Sequence, residues 1–291
     1  MVTATTKPDQ RPLAPFDQMV FSGGGLRCFW HGGWLEAVSR EMRFDPARVT
    51  GSSGGALSAA AFIARREEFL FDRFVRAVAS CRSNASADDL LDGEDGRSPH
   101  QRIYQAIVDD VIDEDAQSMI ADGPAFQICV STPGDSVAPT LRALIGGTVY
   151  QVEQAVASTP RPRFADLTGM KRRLIDAREA ARQRCLPDLI RMAATVPPVF
   201  RADVWDDEPV CDGGMVDKAP LPEPDEGRTL VLLTKRFDSL PEDATSGRIV
   251  YVQPSSDVLS GSKLDFSNPD LLQEAWEQGR RDGLAWLETT N

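Results

Sequence analysis

The sequence predicts an α/β fold in which helices flank a mostly parallel central sheet. Two segments carry this prediction, because each leads from a short apolar strand through a glycine-rich turn into a helix. The strands cover residues 19–21 and 48–50, and the turns that follow them cover residues 22–25 and 51–55. The two turns lie about 30 residues apart, the size of a βαβ unit, and such units build parallel sheets.

The rest of the chain continues this alternation, with no repeat or linker that would divide it. Helices are predicted over 26–42, 56–65, 67–80 and 99–120, and strands over 126–131, 229–234 and 249–252. A last helix is expected to begin at Pro269, because proline suits the first helical position. We expect a flexible tail over 1–15, which contains three prolines, and a single domain over 16–291.

The composition is that of a folded protein with an acidic surface. Hydrophobic residues make up 42% of the chain and charged residues 26%, so the chain can bury a sizeable core. The 44 acidic side chains outnumber the 32 basic ones, and the formal net charge of -12 repels phosphate backbones. We therefore expect no nucleic-acid partner.

The cysteines and the N-terminal residues bear on the compartment. The five cysteines form no C-x-x-C pair, which argues against a zinc ribbon or a redox motif and favours a reduced compartment. Residues 1–15 contain no apolar core of a secretory signal, and the chain has no run of 18 apolar residues. The expected location is the cytoplasm, with peripheral membrane contact as a further expectation.

A G-x-S-x-G pentapeptide over 51–55 is the strongest local signal for chemistry. A nucleophile on a tight turn between a strand and a helix needs small neighbours, because the backbone there is strained and crowded. Gly51 and Gly55 supply them, which makes Ser53 rather than Ser52 the candidate nucleophile. For this pentapeptide alone, the alternative is a structural turn without catalysis.

The chain has no histidine in the position that an α/β-hydrolase triad requires. That triad runs serine, acid, histidine, whereas His31 precedes Ser53 and His100 precedes the acidic residues near the later strands. Asp212 is the best remaining base, since it lies between the apolar pair at 210–211 and two glycines. Burial would raise the pKa of this carboxyl and make it a better base. The alternative is an ordinary Asp-Gly turn.

Three consecutive glycines follow the first strand. Gly23, Gly24 and Gly25 expose backbone N–H groups that can hold a developing oxyanion. Arg27 would add positive charge near this loop, or is an ordinary solvated arginine. The alternative for the loop is a dinucleotide-binding fingerprint, but Cys28 stands where its third glycine would be.

Taken together, these blocks resemble the signature of the patatin-like phospholipase family. The likeness includes His31 in the first block, and a fourth block over 193–200 is similar to the family's alanine- and proline-containing segment ahead of the aspartate. Residues 216–220 are similar to the family's continuation toward an Asn-x-Pro. The blocks span residues 23–220 in the family's order.

The resemblance implies a patatin-like three-layer α/β/α fold with helices on both faces of the sheet. It also implies hydrolysis of carboxylic esters of phospholipids or lysophospholipids, with a lipid as substrate and with no metal or cofactor. Ser53 would attack the ester carbonyl, and Asp212 would take the hydroxyl proton. The implied supporting residues are Gly23, Gly24, Gly25 and Arg27 for the oxyanion hole, Gly51 and Gly55 for the nucleophile elbow, and Gly213 and Gly214 for the turn after the aspartate.

Two positions depart from the family pattern. Cys28 stands where the family has a glycine after the arginine of the first block, and Lys218 stands where it usually has asparagine. The first departure leaves an alternative open, namely a catalytically weak patatin-fold protein that binds lipid or regulates a partner. Neither departure touches Ser53 or Asp212.

Two further features are expected to carry no chemistry. His31 lies among aromatic residues of a helix and is expected to be a hydrogen-bonded, partly buried histidine. The acidic stretch over 88–95 does not match the spacing of an EF-hand calcium loop, and Cys28-x-x-His31 lacks a second pair of ligands. We therefore expect no metal site.

One basic segment stands out on the acidic chain. Residues 161–184 carry eight basic and three acidic side chains, a net charge of +5. A helix there, with Leu174, Ile175 and Leu186 on an apolar side, would dock on an anionic membrane. The alternative is a surface helix whose arginines pair with Asp176, Glu179 and the acidic loops.

Overall fold

A mixed, mostly parallel sheet forms the centre of the protein. The computed structural model describes residues 10–80, 99–133, 159–160, 170–195, 203–241, 243, 246–259 and 268–290. Within these ranges the strands are β1 (Gln18–Phe21), β2 (Arg48–Ser52), β3 (Ala125–Pro133), β4 (Met170–Asp176), β5 (Asp203–Trp205), β6 (Glu208–Asp212), β7 (Thr229–Leu232) and β8 (Ile249–Val252). Their order is β5-β6-β3-β2-β1-β7-β8, and β4 also pairs with β3.

The direction of the strands follows the prediction. The pairs that join β3, β2, β1, β7 and β8 are parallel, whereas β4, β5 and β6 pair antiparallel. In the described chain the helices are α1 (Phe29–Val38), α2 (Gly54–Ala64), α3 (Glu67–Ser80), α4 (Pro99–Val111), α5 (Glu114–Asp122), α6 (Ala177–Arg182), α7 (Leu186–Ala193) and α8 (Pro269–Thr290). The predicted α/β fold, a mostly parallel sheet flanked by helices, is confirmed.

Two predicted helices have different limits in the structure. The segment predicted as one helix over 99–120 is two helices, α4 and α5. Asp113 separates them, since its side chain caps α5 by accepting a hydrogen bond from the Ala116 N–H at 2.9 Å. The helix predicted over 26–42 begins as a 3-10 helix at Gly25–Cys28 and ends with α1.

Apolar residues alternate along the strands and so divide between the two faces of the sheet. On β1, Met19 and Phe21 belong to the main core, to which all eight described helices contribute, whereas Val20 belongs to a smaller core on the opposite face. In the described part of the chain, this smaller core also contains Ala219 and Phe237, which follow β6 and β7, together with Val231, Leu233 and Ile249. The segment after the candidate aspartate is therefore folded against the sheet.

The C-terminal helix α8 packs directly on α1. A Cβ added at Gly279 would lie 2.2 Å from the Trp30 carbonyl oxygen, and one added at Gly33 would lie 2.0 Å from the Trp276 carbonyl oxygen. Trp30 donates its indole N–H to Asp282 at 2.7 Å, which joins the same two helices by a side-chain hydrogen bond. Because the helix backbones approach this closely, only glycine fits at these contacts.

Part of the predicted flexible tail over 1–15 pairs with the folded body. Residues 1–9 lie outside the described residues. Arg43 donates its N–H to the Pro12 carbonyl and accepts the Ala14 N–H, both at 2.8 Å, and Ala14 is buried in the main core. Backbone pairing thus holds the end of the tail on the folded body, which its proline content does not reveal. The single domain predicted after it stays a prediction.

The basic segment over 161–184 does not form the predicted amphipathic helix at its centre. Residues 161–169 lie outside the described residues, and the residues that follow form β4, which pairs antiparallel with β3. Arg173 lies 2.5 Å from the Asp206 carboxylate on the neighbouring strand connection. A strand points successive side chains to opposite faces, so the predicted apolar helix side is wrong here. Arg173 pairs with an acid, as the alternative predicts, but it does so from a strand and not from a surface helix.

Candidate active site

Ser53 occupies the sharp turn between β2 and α2. Its φ of 53° and ψ of −135° lie in a region that residues other than glycine rarely adopt. A Cβ added at Gly55 would lie 2.3 Å from the Phe21 carbonyl oxygen, and one added at Gly51 would lie 2.6 Å from the Ala56 Cα. Only glycines therefore fit on both sides of this strained serine, the arrangement that the pentapeptide predicts for a nucleophile elbow.

The register of the sheet explains how Asp212 reaches Ser53. β2 pairs with β3 as far as Ser52, which lies opposite Cys129. β6 pairs with the next part of β3, so that Asp212 lies opposite Val130. Because β4 occupies the other edge of β3 at these residues, β6 takes the edge that β2 leaves free. Ser53 and Asp212 therefore meet where β2 ends and β6 arrives.

A short hydrogen bond joins the two candidate residues. The Ser53 hydroxyl donates to Asp212 Oδ2 at 2.6 Å, while Asp212 Oδ1 accepts the Gly214 N–H at 2.6 Å. Asp212 is only 6% exposed. Its N–H donates to the Thr195 carbonyl at 2.8 Å, and its carbonyl accepts the Ser131 hydroxyl at 2.9 Å. One carboxylate oxygen is thus held by the backbone, and the other faces the serine hydroxyl.

The glycine loop lies against the serine turn. A Cβ added at Gly23 would lie 3.1 Å from the Ser53 Cβ. The Gly23 N–H donates to the Lys218 carbonyl at 2.8 Å, so this predicted oxyanion donor is already engaged. The N–H groups of Gly24 and Gly25 therefore remain as the predicted oxyanion donors of the loop. Gly25 has a φ of 58°, a left-handed conformation that glycine adopts without strain.

Arg27, Cys28 and Lys218 each contact the glycine loop, although Cys28 and Lys218 depart from the family pattern. The half-buried Arg27 side chain folds back so that Nε donates to the Gly24 carbonyl at 3.4 Å. The buried Cys28 thiol donates to the Ser22 carbonyl at 3.6 Å. Lys218 contacts the loop through its carbonyl, which any residue would supply. These three contacts are made to the glycine loop and not to Ser53 or Asp212.

Ser52 and Asp217 take part in the site although the sequence motifs that contain them assigned no role to either. The Ser52 hydroxyl donates to the Asp217 carbonyl at 3.0 Å, and the Asp217 N–H donates to the Gly213 carbonyl at 2.9 Å. Arg172 of β4 lies 3.6 Å from the Asp217 carboxylate. A Cβ added at Gly213 would lie 2.2 Å from the main chain of β3. These contacts tie the serine turn to the aspartate turn, and they depend on pairings that no local pattern signals.

The helices after α2 lie beside this site. Burial raises the pKa of Tyr104 on α4, and the negative charge of Asp212 raises it further, so α4 lies within electrostatic reach of the aspartate. Phe74 of α3 packs against Tyr104, with ring centroids 6.3 Å apart. This ring contact links α3 to α4 in the described residues.

Two buried thiols near the aspartate are poor rivals to the serine. Burial raises the pKa of Cys129 well above its usual range, and burial together with the Asp212 charge raises the pKa of Cys211 to about 11. The thiolate is the reactive form of cysteine. Both side chains are therefore protonated near neutral pH, which leaves Ser53 as the nucleophile candidate.

His31 is hydrogen-bonded, as expected, and is more deeply buried than expected. It is fully buried in α1, its Nε2 lies 3.2 Å from the Leu232 carbonyl, and its ring meets Phe21 edge-on at 5.4 Å between centroids. Burial lowers the pKa of His31 to about 3, and the hydrogen bond to Leu232 opposes this only in part. The ring is therefore neutral near pH 7, with Nε2–H as the donor to the carbonyl.

His31→Gln is expected to remove a pH dependence from folding while hydrolysis persists. The unfolded histidine binds a proton below about pH 6.5 and the folded one does not, so its contribution to stability is lost as the pH falls from 6.5 toward 3. The difference in the free energy of unfolding between the wild type and the variant should shrink by about 2 kcal/mol between pH 7 and pH 5. Chemical denaturation at both pH values measures it.

The free energy of unfolding must be compared between the wild type and His31→Gln, because Glu67 changes the stability of both with pH in the opposite direction. Burial raises the pKa of Glu67 to about 7, so its contribution is present at low pH and is lost as the pH rises through 7. The two effects oppose each other in the wild type. A pH-independent difference between the wild type and His31→Gln would contradict the burial of a neutral histidine, and loss of hydrolysis by the folded variant would identify His31 as a base.

No group of three or more His, Cys, Asp or Glu side chains in the described ranges is arranged to hold a metal ion. The acidic stretch over 88–95 and the side chain of His100 lie outside the described residues. Most of the block over 193–200 that precedes the aspartate lies outside them as well.

The fold and the site together define an α/β protein with a strained serine at a strand-to-helix turn, hydrogen-bonded to a buried aspartate beneath a glycine loop. A family model described as patatin-like phospholipase matches residues 19–225. The chain belongs to this family. The strands β7 and β8 and the helix α8 lie beyond the matched residues, although β7 pairs with β1 at the middle of the sheet.

The solved structure of a protein with a very different sequence shares the fold. VipD from Legionella pneumophila is 10% identical with a TM-score of 0.51, and the match covers 99% of this chain and 72% of that one. The type III effector protein ExoU is 13% identical with a TM-score of 0.37, and the match covers 96% of this chain and 54% of that one. The chain thus spans about half the length of the ExoU structure. No curated protein sequence shows significant similarity to the chain.

Proposed function

We propose that the protein is a serine hydrolase that cleaves the carboxylic esters of phospholipids or lysophospholipids with a Ser53–Asp212 dyad. Membership of the patatin-like phospholipase family supports the lipid acyl hydrolase activity in general. The observation that carries the proposal is the 2.6 Å hydrogen bond from the Ser53 hydroxyl, on a strained elbow, to Asp212 Oδ2. A nucleophile and its base within hydrogen-bond reach are the geometric signature of covalent catalysis.

The reaction proceeds in two halves. Ser53 Oγ attacks the ester carbonyl as its proton passes to Asp212 Oδ2, and the N–H groups of Gly24 and Gly25 stabilise the oxyanion. Collapse of the intermediate expels the alcohol, which takes the proton from Asp212, and leaves an acyl ester on Ser53. Water then attacks this ester with Asp212 as the base, which releases the fatty acid and restores the serine.

The surroundings of Asp212 prepare it for this role. Gly214 N–H holds Oδ1, so the carboxylate cannot rotate away from the serine without losing that hydrogen bond. The strained φ of Ser53 presents its Oγ at the N-terminal end of α2, where backbone N–H groups favour developing negative charge. The chemistry needs no metal, and we expect hydrolysis to continue in the presence of a chelator.

Ser53→Ala is expected to abolish ester hydrolysis, because it removes the attacking oxygen from a turn that accepts a small side chain. The assay uses a short-chain nitrophenyl ester and a mixed lipid extract with identification of the released acids. Ser58→Ala, which removes an α2 hydroxyl that donates to the Gly54 carbonyl within the same helix, is the matched control and should retain activity.

The same assay separates the proposal from its alternative, a catalytically weak patatin-fold protein that binds lipid or regulates a partner. That alternative requires Cys28 to have disabled the oxyanion loop, and the buried position of the thiol beneath the loop speaks against it. Wild-type protein that binds lipid but releases no acid would favour the alternative. Hydrolysis that survives Ser53→Ala would contradict the dyad.

Contact with a lipid surface through residues 161–184 and a cytoplasmic location stay predictions. Arg173 and Arg182 of this segment pair with acidic side chains, and Arg161 and Arg163 lie outside the described residues. No helix in the described ranges is both long enough and apolar enough to cross a bilayer.

A further inference from the structure

The buried Thr234, which follows β7, holds the glycine loop by two hydrogen bonds. Its hydroxyl donates to the Gly23 carbonyl at 2.7 Å, and its N–H donates to the Ser22 hydroxyl oxygen at 3.0 Å. Thr234 is 2% exposed. A Cβ added at Gly24 would lie 2.3 Å from Thr234 Oγ1, so the threonine hydroxyl rests directly on the loop backbone.

The hydroxyl sets the direction of a catalytic N–H through the peptide plane. The Gly23 carbonyl and the Gly24 N–H belong to one planar trans peptide, and they point in opposite directions. Binding the carbonyl oxygen on the side of Thr234 therefore turns the Gly24 N–H to the opposite side of the loop. On that side the loop lies against Ser53, since a Cβ added at Gly23 would lie 3.1 Å from the Ser53 Cβ.

The loop needs such a brace because of its composition. A peptide between two glycines can rotate at little cost, since neither residue has a side chain that restricts φ and ψ. The Gly23 N–H is held by the Lys218 carbonyl at 2.8 Å, which anchors the peptide before the one in question. The Thr234 hydroxyl anchors the next peptide, whose N–H is the proposed oxyanion donor.

We propose that Thr234 is a positioning residue that orients the Gly24 N–H toward the oxyanion. This inference rests on the proposed hydrolase function and deepens it. Thr234 lies outside the matched residues 19–225, so the family match does not assign it a role. An oxyanion donor acts in the transition state, so misplacing it lowers kcat more than it raises KM.

Thr234→Val replaces the hydroxyl with a methyl group of similar size, and Thr234→Ser keeps the hydroxyl. With a soluble ester, the valine variant should lose roughly 10- to 100-fold in kcat, with KM changed less than about threefold, since loss of a whole donor costs about 10²- to 10³-fold. The serine variant should stay within about threefold of the wild type. Thr229→Val is the matched control, because it removes a buried hydroxyl from the start of β7, where Thr229 bonds to Gln18 at 2.8 Å.

Crystal structures of the variants give a readout that does not depend on hydrolysis. In Thr234→Val the peptide between Gly23 and Gly24 should rotate or take two orientations, whereas in Thr234→Ser it should keep the wild-type one. The inference would be overturned by any of three results. These are an unchanged kcat in a folded Thr234→Val, a Thr234→Ser variant as slow as Thr234→Val, and a peptide between Gly23 and Gly24 that does not move in Thr234→Val. A wild type without Ser53-dependent hydrolysis would instead overturn the proposed function, and the crystal structures would still test the brace.

Discussion

Asp212→Asn is expected to lower kcat for a soluble ester by roughly 10³-fold or more, with KM nearly unchanged. The asparagine has almost the same shape, and its amide oxygen can still accept the Gly214 N–H that now binds Oδ1 at 2.6 Å. In the wild type, Asp212 Oδ2 accepts a hydrogen bond from the Ser53 hydroxyl at 2.6 Å. The asparagine has no basic oxygen at this position that could take the Ser53 proton. Steady-state kinetics, with circular dichroism to verify folding, measure the effect.

Asp217→Asn is the matched control for this change. Asp217 is a second buried carboxylate on the same loop, but it accepts the Ala219 N–H at 3.1 Å and faces Arg172 at 3.6 Å rather than the serine. Asparagine keeps an acceptor for the Ala219 N–H, so we expect a loss of less than about tenfold. Near-wild-type turnover by Asp212→Asn, or an equal loss in the two variants, would show that the aspartate is not the base.

Gly279→Ala is expected to destabilise the protein by about 3 kcal/mol or more. The added Cβ would lie 2.2 Å from the Trp30 carbonyl oxygen, so α8 and α1 must move apart along a contact between two helix backbones. This cost exceeds the roughly 1 kcal/mol that alanine gains over glycine in a helix. Denaturant unfolding, followed by tryptophan fluorescence, compares the variant with the wild type.

Gly283→Ala serves as the graded control on the same helix. Its added Cβ would lie 2.9 Å from the Trp34 carbonyl oxygen, a contact that a small shift relieves, and the gain in helix propensity is the same. The variant should therefore be clearly more stable than Gly279→Ala. If both variants were as stable as the wild type, the direct backbone contact between α1 and α8 would be wrong.

Local patterns were enough to predict the parts of the site that lie at strand ends. An apolar strand followed by glycines is compatible with few local structures, because a tight turn from a strand into a helix needs residues without side chains. The turns that hold Gly24 and Ser53 could therefore be predicted, as could β1 and β2 to within two residues and α3 with its limits. The turn around Asp212 follows the same pattern, with glycines directly after the aspartate.

Contacts between distant parts of the chain could not be predicted in this way. Whether β6 lies on the same edge of β3 as β2 depends on β4 occupying the other edge, and no segment reveals this alone. The strand β4 could not be predicted from its own sequence, because its basic residues resemble the polar side of a helix. Thr234 reaches the glycine loop only because β7 pairs with β1, a pairing of residues more than two hundred positions apart.

Covalent labelling with a fluorophosphonate tests the central claim most directly. A serine oxygen activated by a base attacks phosphorus and displaces fluoride, which leaves one phosphonyl group on the enzyme. The account predicts a single adduct that peptide mapping places on Ser53, no adduct in Ser53→Ala, and labelling roughly 100-fold slower or worse in Asp212→Asn. An adduct on another residue, or equal labelling rates for the wild type and Asp212→Asn, would contradict the Ser53–Asp212 dyad.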